Sequence, residues 1–325
     1  MALILTRQDV MAVLNMKDCI KVVEQAFLES NKGNAVLPLR TSIASDDGIS
    51  LYMPAYLKEM GALACKVVTV FKDNPKKQNL PVTIGKVLLQ NPESGEVICI
   101  MDGGYLTAVR TGAVSGVATK YLAHNNKTQV AGIFGAGAQA QMQLVAMCVV
   151  REISKAIVYD ISDEAVNKYI DRLNTKLDIE IVRAKNVDEV LQADIICTAT
   201  SSTIPIFDGT KIKTGKHING IGSHTPNARE LDTAIIKRSK FIGDSKEACL
   251  KEAGDFIIPL NDGDIDESHF YAELGEIVAR DKPGREFKNE ITIFKSNGLA
   301  IQDAATAKLV YDKAVEAEIG QKIDL

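Results

Sequence analysis

The 325-residue sequence has no tryptophan, only four histidines, and six cysteines that never approach one another along the chain. Cys19, Cys65, Cys99, Cys148, Cys197 and Cys249 form no Cys-x-x-Cys pair and have no histidine at ligand spacing. A zinc ribbon and a dithiol redox centre are therefore excluded, no metal is expected, and the cysteines read as buried reduced thiols. Positive charge is not in excess either: 38 Lys plus Arg face 42 Asp plus Glu, so no basic field is available for nucleic acid or an anionic membrane. No apolar run reaches the ~18 residues of a membrane span. Residues Met1 to Gln8 lack the basic-then-apolar pattern of an export leader, and the expected compartment is the cytoplasm. The 23 glycines and 9 prolines are scattered, which leaves no low-complexity segment. What remains is 46% hydrophobic residues over a length sufficient for two cores.

The apolar pattern changes character twice. Thr6, with Asp9 three residues on, predicts a capped first helix, and a second from about Lys17 to Lys32 carries Ile20, Val23, Ala26 and Phe27 on one face before Gly33 stops it. Short apolar or alternating runs follow at Leu37 to Ala44, Gly61 to Phe71, Pro81 to Asn91 and Glu96 to Met101, the pattern of an antiparallel sheet. A helix of small residues is expected from Asp102 to about Ala123. Beyond Asn125 the rhythm becomes strand, helix, strand, with strands at Gln129 to Phe134, Ala156 to Asp160, Ile179 to Val182, Asp194 to Thr198, His217 to Gly222 and Lys240 to Gly243. That is the pattern of a doubly wound parallel sheet of Rossmann type. A last helix, about Ala300 to Glu318, follows the sheet and is expected to return to the N-terminal part. The expected division is a discontinuous α+β substrate and dimerisation domain, 1–122 with 300–325, around a dinucleotide-binding α/β domain, 123–299.

The motif Gly135-x-Gly137-x-x-Ala140 directly follows an apolar strand and opens an apolar helix. In that setting Gly135 permits the sharp turn, Gly137 lets the backbone approach a pyrophosphate, and Ala140 lets the helix pack on the strand. The helix N-terminus, with Ala138 and Gln139 in its first turn, receives the negative charge. Asp160, at the end of the second strand, can accept hydrogen bonds from both ribose hydroxyls of NAD. A 2′-phosphate would meet that carboxylate with no arginine beside it in sequence, since Ile161, Ser162 and Asp163 follow, so NAD is favoured over NADP.

Three further segments occur in order with this motif: Met101-Asp to Val109-Arg-Thr-Gly-Ala-Val-Ser-Gly116, His217-Ile-Asn-Gly-Ile-Gly-Ser-His-Thr-Pro-Asn-Ala-Arg-Glu-Leu-Asp232, and Ile291-Thr-Ile-Phe-Lys-Ser-Asn-Gly-Leu-Ala-Ile-Gln-Asp303. Together they resemble the ornithine cyclodeaminase and mu-crystallin family over essentially the whole chain. The resemblance implies a homodimer with a sheet across its interface. It also implies hydride exchange between nicotinamide and the alpha carbon of an amino acid.

The same resemblance assigns roles. Arg40 is expected to grip a substrate carboxylate through two parallel hydrogen bonds. Lys66, inside the apolar run Ala62 to Val70, must snorkel out or sit in a cavity; desolvation there would lower its pKa and suit it to proton transfer. Arg110 and Thr111 are placed against cofactor phosphates, with Arg110 also touching the substrate. Thr83, Thr200, Gly220, Ile221, Gly222 and Gly298 are expected to contact the cofactor, and Leu299 the substrate. Thr83 could equally be structural, and neither Lys295 nor Asp303 can be given a chemical step from spacing.

Two positions depart from the cyclodeaminase pattern: His224 replaces an expected aspartate, and Leu51 an expected acid. A diamino acid would leave its second ammonium unpaired, which disfavours ornithine, while His224 could handle a proton. The expected activity is an NAD-dependent amino-acid dehydrogenase or imine reductase acting on a small 2-amino, 2-imino or 2-keto acid, with alanine dehydrogenase the specific expectation. Ornithine cyclodeaminase and a crystallin-like NAD(P)H-binding protein without turnover are the alternatives.

Overall fold

A computed structural model describes residues 1–125 and 128–324. The chain opens with β1 (Ala2–Leu5), α1 (Arg7–Val13), α2 (Met16–Asn31), β2 (Ala35–Val36), β3 (Thr41–Ser45), β4 (Gly48–Leu57), β5 (Ala62–Val70), α3 (Asn74–Lys77), β6 (Thr83–Gln90), β7 (Val97–Asp102) and α4 (Gly103–Leu122). It continues with β8 (Gln129–Phe134), α5 (Ala138–Val150), β9 (Ile153–Tyr159), α6 (Asp163–Asn174), β10 (Glu180–Arg183), α7 (Val187–Val190), β11 (Ile195–Thr198), β12 (His217–Gly220), α8 (Thr233–Lys237) and β13 (Lys240–Gly243). Then come α9 (Lys246–Glu252), α10 (Gly254–Asn261), β14 (Phe270–Glu273), α11 (Leu274–Ala279), β15 (Thr292–Lys295), α12 (Ala300–Glu316) and β16 (Gln321–Ile323). Two compact units result: Met1–Thr111 with the chain from Leu299 on, and Gly112–Gly298. The first division falls inside α4 rather than at its end.

The first unit is one sheet in the order β16-β1-β7-β6-β5-β4-β2, with β3 also paired to β4. From β2 to β7 every neighbouring pair runs antiparallel, as expected for Val36 to Met101; β1, outside that stretch, joins β7 in parallel and β16 antiparallel. Thr6 and Asp9 form a full capping box on α1, and Asn15 caps α2. Helices α2 and α12 pack together and α12 lies along β4, β5 and β6, which covers one sheet face. Alternation then decides each strand residue's fate: Met53, Ala55 and Leu57 of β4 and Ala62, Ala64 and Lys66 of β5 are the buried set.

Two strand expectations change here. Residues 37–40 lie outside any strand, and β4 was not foreseen because Pro54 interrupts its pattern. Pro54 is tolerated because β3 pairs with Gly48 to Tyr52 of β4 and β2 with Tyr56 and Leu57. No second ladder therefore needs an N–H at position 54.

The second unit is an eight-stranded parallel sheet, β10-β9-β8-β11-β12-β15-β13-β14. Two of its strands, β14 and β15, were not anticipated, and β15 inserts between β12 and β13. Both faces are covered, as parallel sheets require: Ala140, Leu144, Met147 and Tyr169 belong to one core cluster, and Val190, Ile235, Ile236 and Phe256 to the other. Strand order reverses between β8 and β11, so the crevice beyond their C-terminal ends is the switch point where open α/β sheets take ligands.

All six cysteines are free; Cys65 and Cys148 are only half-buried, against the expectation that all are buried. No helix among the described residues is long and apolar enough to cross a membrane.

Candidate active site

In the first unit Lys66 does not snorkel. It occupies a buried position of β5, opposite Met53 and Val87, on the side that α12 covers. The first turn of α12 brings Asp303 to it, with Nζ 2.6 Å from Oδ2 and both side chains 1% exposed. Asp303 Oδ1 accepts from Arg110 Nε at 2.9 Å, and the neighbouring Gln302 accepts from Arg110 Nη1 at 2.7 Å. One carboxylate thus bridges two buried cations. Burial depresses the Lys66 pKa to about 8, aided by the charges of Arg110 and Arg40 and opposed by Asp303. An ammonium that gives up its proton near neutrality, beside a fixed guanidinium, can bind a carboxylate and supply a proton to a nitrogen next to it.

Arg40 is half-buried in the extended segment just before β3, and its charge is felt at Lys66. Leu299, buried, is the N-cap residue of α12. Thr111 is buried in α4, whereas Thr83 is exposed at the first position of β6. The first unit therefore unites Lys66 and Arg110 through Asp303, a residue whose role spacing could not supply.

In the second unit the glycine motif folds as expected. Gly135 has φ +100, and a Cβ there would lie 2.5 Å from the carbonyl oxygen of Ala199, so a side chain is excluded on both grounds. Gly137 differs: a Cβ there would meet nothing within 4 Å, and this cap position of α5 has no side-chain hydrogen bond. Space is kept open over the first-turn N–H groups, including those of exposed Ala138 and half-buried Gln139, as a pyrophosphate requires. Asp160 accepts from the Ala136 N–H at 2.8 Å and the Ser162 N–H at 2.9 Å, one on each oxygen. Each oxygen retains a lone pair for a ribose hydroxyl. These residues fit a dinucleotide.

The absence of a nearby arginine holds in sequence but not in space. Arg183, the last residue of β10, ion-pairs with Asp163, the first residue of α6 and three positions after Asp160. His224 is exposed, with Nδ1 3.3 Å from the Gly222 carbonyl. Gly298, at φ +82, donates its N–H to Asp244.

Thr200, Gly220, Ile221 and Gly222 lie just beyond or at the ends of β11 and β12, and here the structure adds Glu230, a residue of the same motif to which spacing gives no role. Glu230, fully buried, accepts from Thr198 Oγ1 and the Gly222 N–H on one oxygen, and from the N–H and Oγ1 of Thr200 on the other. Asp255 accepts the backbone N–H groups of Glu230 and Leu231 and ion-pairs with Lys295 at 2.8 Å. Burial alone would lower the Lys295 pKa, but the charges of Asp255 and Glu230 outweigh it and the net direction is upward. In sequence Glu230 stands between Arg229 and Asp232, one charge among several, and spacing gives no signal that sets it apart.

The profile of the ornithine cyclodeaminase/mu-crystallin family matches residues 1–318. The Δ(1)-pyrroline-2-carboxylate reductase of Bacillus cereus is 38% identical over 327 aligned residues, 99% of each chain. The structure of Thermococcus litoralis Δ(1)-pyrroline-2-carboxylate reductase in complex with NADH and L-proline superposes with a TM-score of 0.95 at 48% identity, covering 99% of this chain and 100% of that one. An archaeal alanine dehydrogenase dimer with bound NAD gives 0.94 at 35% identity, covering 100% and 99%. Whole-chain similarity at this level, together with the motifs in their structural places, makes this protein a member of the ornithine cyclodeaminase/mu-crystallin family.

Proposed function

We propose that this protein reduces the C=N bond of a small cyclic 2-imino acid, Δ1-pyrroline-2-carboxylate, to the 2-amino acid, L-proline, with NADH as reductant. The second unit would hold the dinucleotide at Gly135, Gly137 and Asp160, and the first would hold the imino acid. Bound NADH supplies the hydride. The residues of the chain do the rest. Arg40 and Arg110 bind the substrate carboxylate, Arg110 from a geometry already fixed by Asp303 and Gln302. Lys66, with its depressed pKa, hands a proton to the imine nitrogen and is reprotonated from solvent.

The observation that carries this reading is the buried Lys66–Asp303–Arg110 cluster: it combines a proton donor with an anion site, and its carboxylate, Asp303, is already engaged by Lys66 and Arg110 rather than held for a second ammonium. Its relatives, reductases of this imino acid at 38% and 48% identity, support the cyclic imine over alanine. Alanine dehydrogenase, the specific sequence expectation, stays as a second reading because an archaeal enzyme of that activity superposes almost as well. That relative's dimeric state, with exposed Val36 of β2, Leu39 of the connecting segment and Ile43 of β3, supports a homodimer here, which light scattering tests.

The decisive experiment follows NADH absorbance with three substrates in parallel. Oxidation of NADH by Δ1-pyrroline-2-carboxylate, far exceeding that by pyruvate plus ammonia, is the expected result. Faster turnover with pyruvate and ammonia would establish the second reading. Release of proline and ammonia from ornithine without net NADH change would make the protein a cyclodeaminase. NADH binding without turnover of any would leave a crystallin-like binder.

A further inference from the structure

We infer that Glu230 is a positioning residue that sets the shape of the dinucleotide-binding loops, an inference that rests on the reductase reading and extends it. Its carboxylate is fully buried, so it acts only through what it holds. It holds four donors from three residues. Thr198 Oγ1 and the Gly222 N–H lie 2.8 Å from Oε2, while the Thr200 N–H and Oγ1 lie 2.7 and 2.6 Å from Oε1. These donors belong to the segments that leave β11 and β12, beside the switch point of the sheet.

The glycine turn after β8 is part of the same assembly. The Cβ position of Gly135 is 2.5 Å from the carbonyl oxygen of Ala199, the residue before Thr200, so the turn rests on backbone that Glu230 fixes. Gly222 fits only as glycine: an added Cβ would come within 2.5 Å of Glu230 Oε1. From behind, Asp255 accepts the Glu230 N–H, Lys295 pairs with Asp255, and Lys295 Nζ donates to the Ser223 carbonyl. The chain of contacts starts and ends on the same loop, so Gly222 and Ser223 are both tied to the Glu230–Asp255–Lys295 network. A residue serving only to fill space there would be apolar, because a buried carboxylate is costly unless donors surround it.

Glu230→Gln makes the test sharp because the two backbone donors sit on different oxygens. A glutamine has one acceptor oxygen and one NH2 group. A hydroxyl can rotate to accept from that NH2, but the N–H groups of Thr200 and Gly222 cannot. Whichever way the amide turns, one backbone donor faces another donor, and that loop must move. The expected result is a Kd for NADH, read by fluorescence titration, raised at least tenfold. KM for NADH should rise in parallel, while KM for the imino acid stays within twofold. Glu230→Asp, which keeps both acceptor oxygens, should recover part of the affinity. Should the glutamine variant not fold, Thr198→Val removes one of the four donors isosterically and should raise Kd about threefold.

A folded Glu230→Gln protein with wild-type affinity for NADH would overturn the inference, as would an equal rise in both KM values. If only Thr198→Val folds, its wild-type affinity for NADH would overturn it too. Failure of the unmodified protein to bind NADH is a different outcome, since it defeats the reductase reading on which this inference stands.

Discussion

Asp303→Asn removes the anion that bridges Lys66 and Arg110, and the pH profile should shift accordingly. The carboxylate touches Lys66 Nζ at 2.6 Å and Arg110 Nε at 2.9 Å, all three side chains being buried. At an effective dielectric constant of ~20, one charge at ~4 Å is worth about 4 kcal/mol. Each tenfold change in proton affinity corresponds to about 1.4 kcal/mol. Asp303 is the influence that raises the Lys66 pKa against burial and the two arginines, so its loss moves deprotonation to lower pH.

Imine reduction needs the protonated ammonium. In the unmodified protein kcat/KM should therefore hold below pH about 8 and fall as pH rises through that value. In the variant the falling limb should sit about one to three pH units lower, the upper figure being the full Coulomb energy. The assay is the pH dependence of NADH oxidation by Δ1-pyrroline-2-carboxylate, compared between the two proteins so that titration of the substrate cancels. NADH titration and thermal melting control for folding, because stranding two buried cations is expected to lower stability by about 3–5 kcal/mol. The depressed Lys66 pKa also fixes a linkage sign. Between about 8 and the ordinary 10.5 the unfolded chain holds more protons at this site, so its contribution to stability rises with pH across that window. A limb at the same pH in both proteins would refute the claim that Lys66, tuned by Asp303, is the acid.

Other perturbations separate the two units. Arg40→Lys loses the planar two-bond grip and should raise KM for the imino acid about tenfold to a hundredfold with Kd for NADH unchanged; initial rates and NADH titration check both. Gly135→Ala and Gly137→Ala should behave differently. The first puts a methyl against Ala199 at a positive φ and should lower Tm by several degrees, as melting would show. The second meets no protein atom and should leave Tm unchanged within about a degree, yet raise the Kd for NADH about tenfold or more, because it occupies the space kept for pyrophosphate. Asp163→Asn releases Arg183 from its ion pair and removes a negative charge near Asp160, so the ratio of NADPH to NADH affinity should rise about threefold to tenfold. An unchanged ratio would mean that Arg183 lies out of reach of a 2′-phosphate.

Elements carried by a continuous local pattern were legible in the sequence. The strand, glycine turn and helix from Gln129 to Val150 depend on residues that are neighbours in the chain, and the structure has them in those places. The same holds for the capping box at Thr6 and Asp9. Strands whose justification is non-local were not. Pro54 is acceptable within β4 only because β2 and β3 leave a gap opposite it, which no window of sequence reveals. Strand β15, only four residues long, gains its place by inserting between β12 and β13, after the chain has already made β14.

The same distinction explains the site. Lys66 was readable because a lone cation in an apolar run is an energetic problem that the sequence itself displays. Its solution lies in Asp303, far along the chain, and becomes visible only once the alternation of β5 and the placement of α12 put both on one side of the sheet. Arg183 inverts the case. The residues that follow Asp160 include no arginine, because the guanidinium arrives from the adjacent parallel strand rather than from the turn itself. Glu230 follows the first rule: its four donors converge from the end of β11 and from the loops after β11 and β12, and its own motif records the residue but not the convergence. Charges that a fold must bury are thus announced singly by sequence, while the partners that make burial tolerable are assembled by topology. In this protein the buried charges with named partners, Lys66 with Asp303 and Lys295 with Asp255, lie beside the residues proposed to bind substrate and dinucleotide. A buried ion pair is weak evidence for stability; its place beside a binding loop or a substrate-facing arginine is better accounted for by the orientation it imposes on its neighbours.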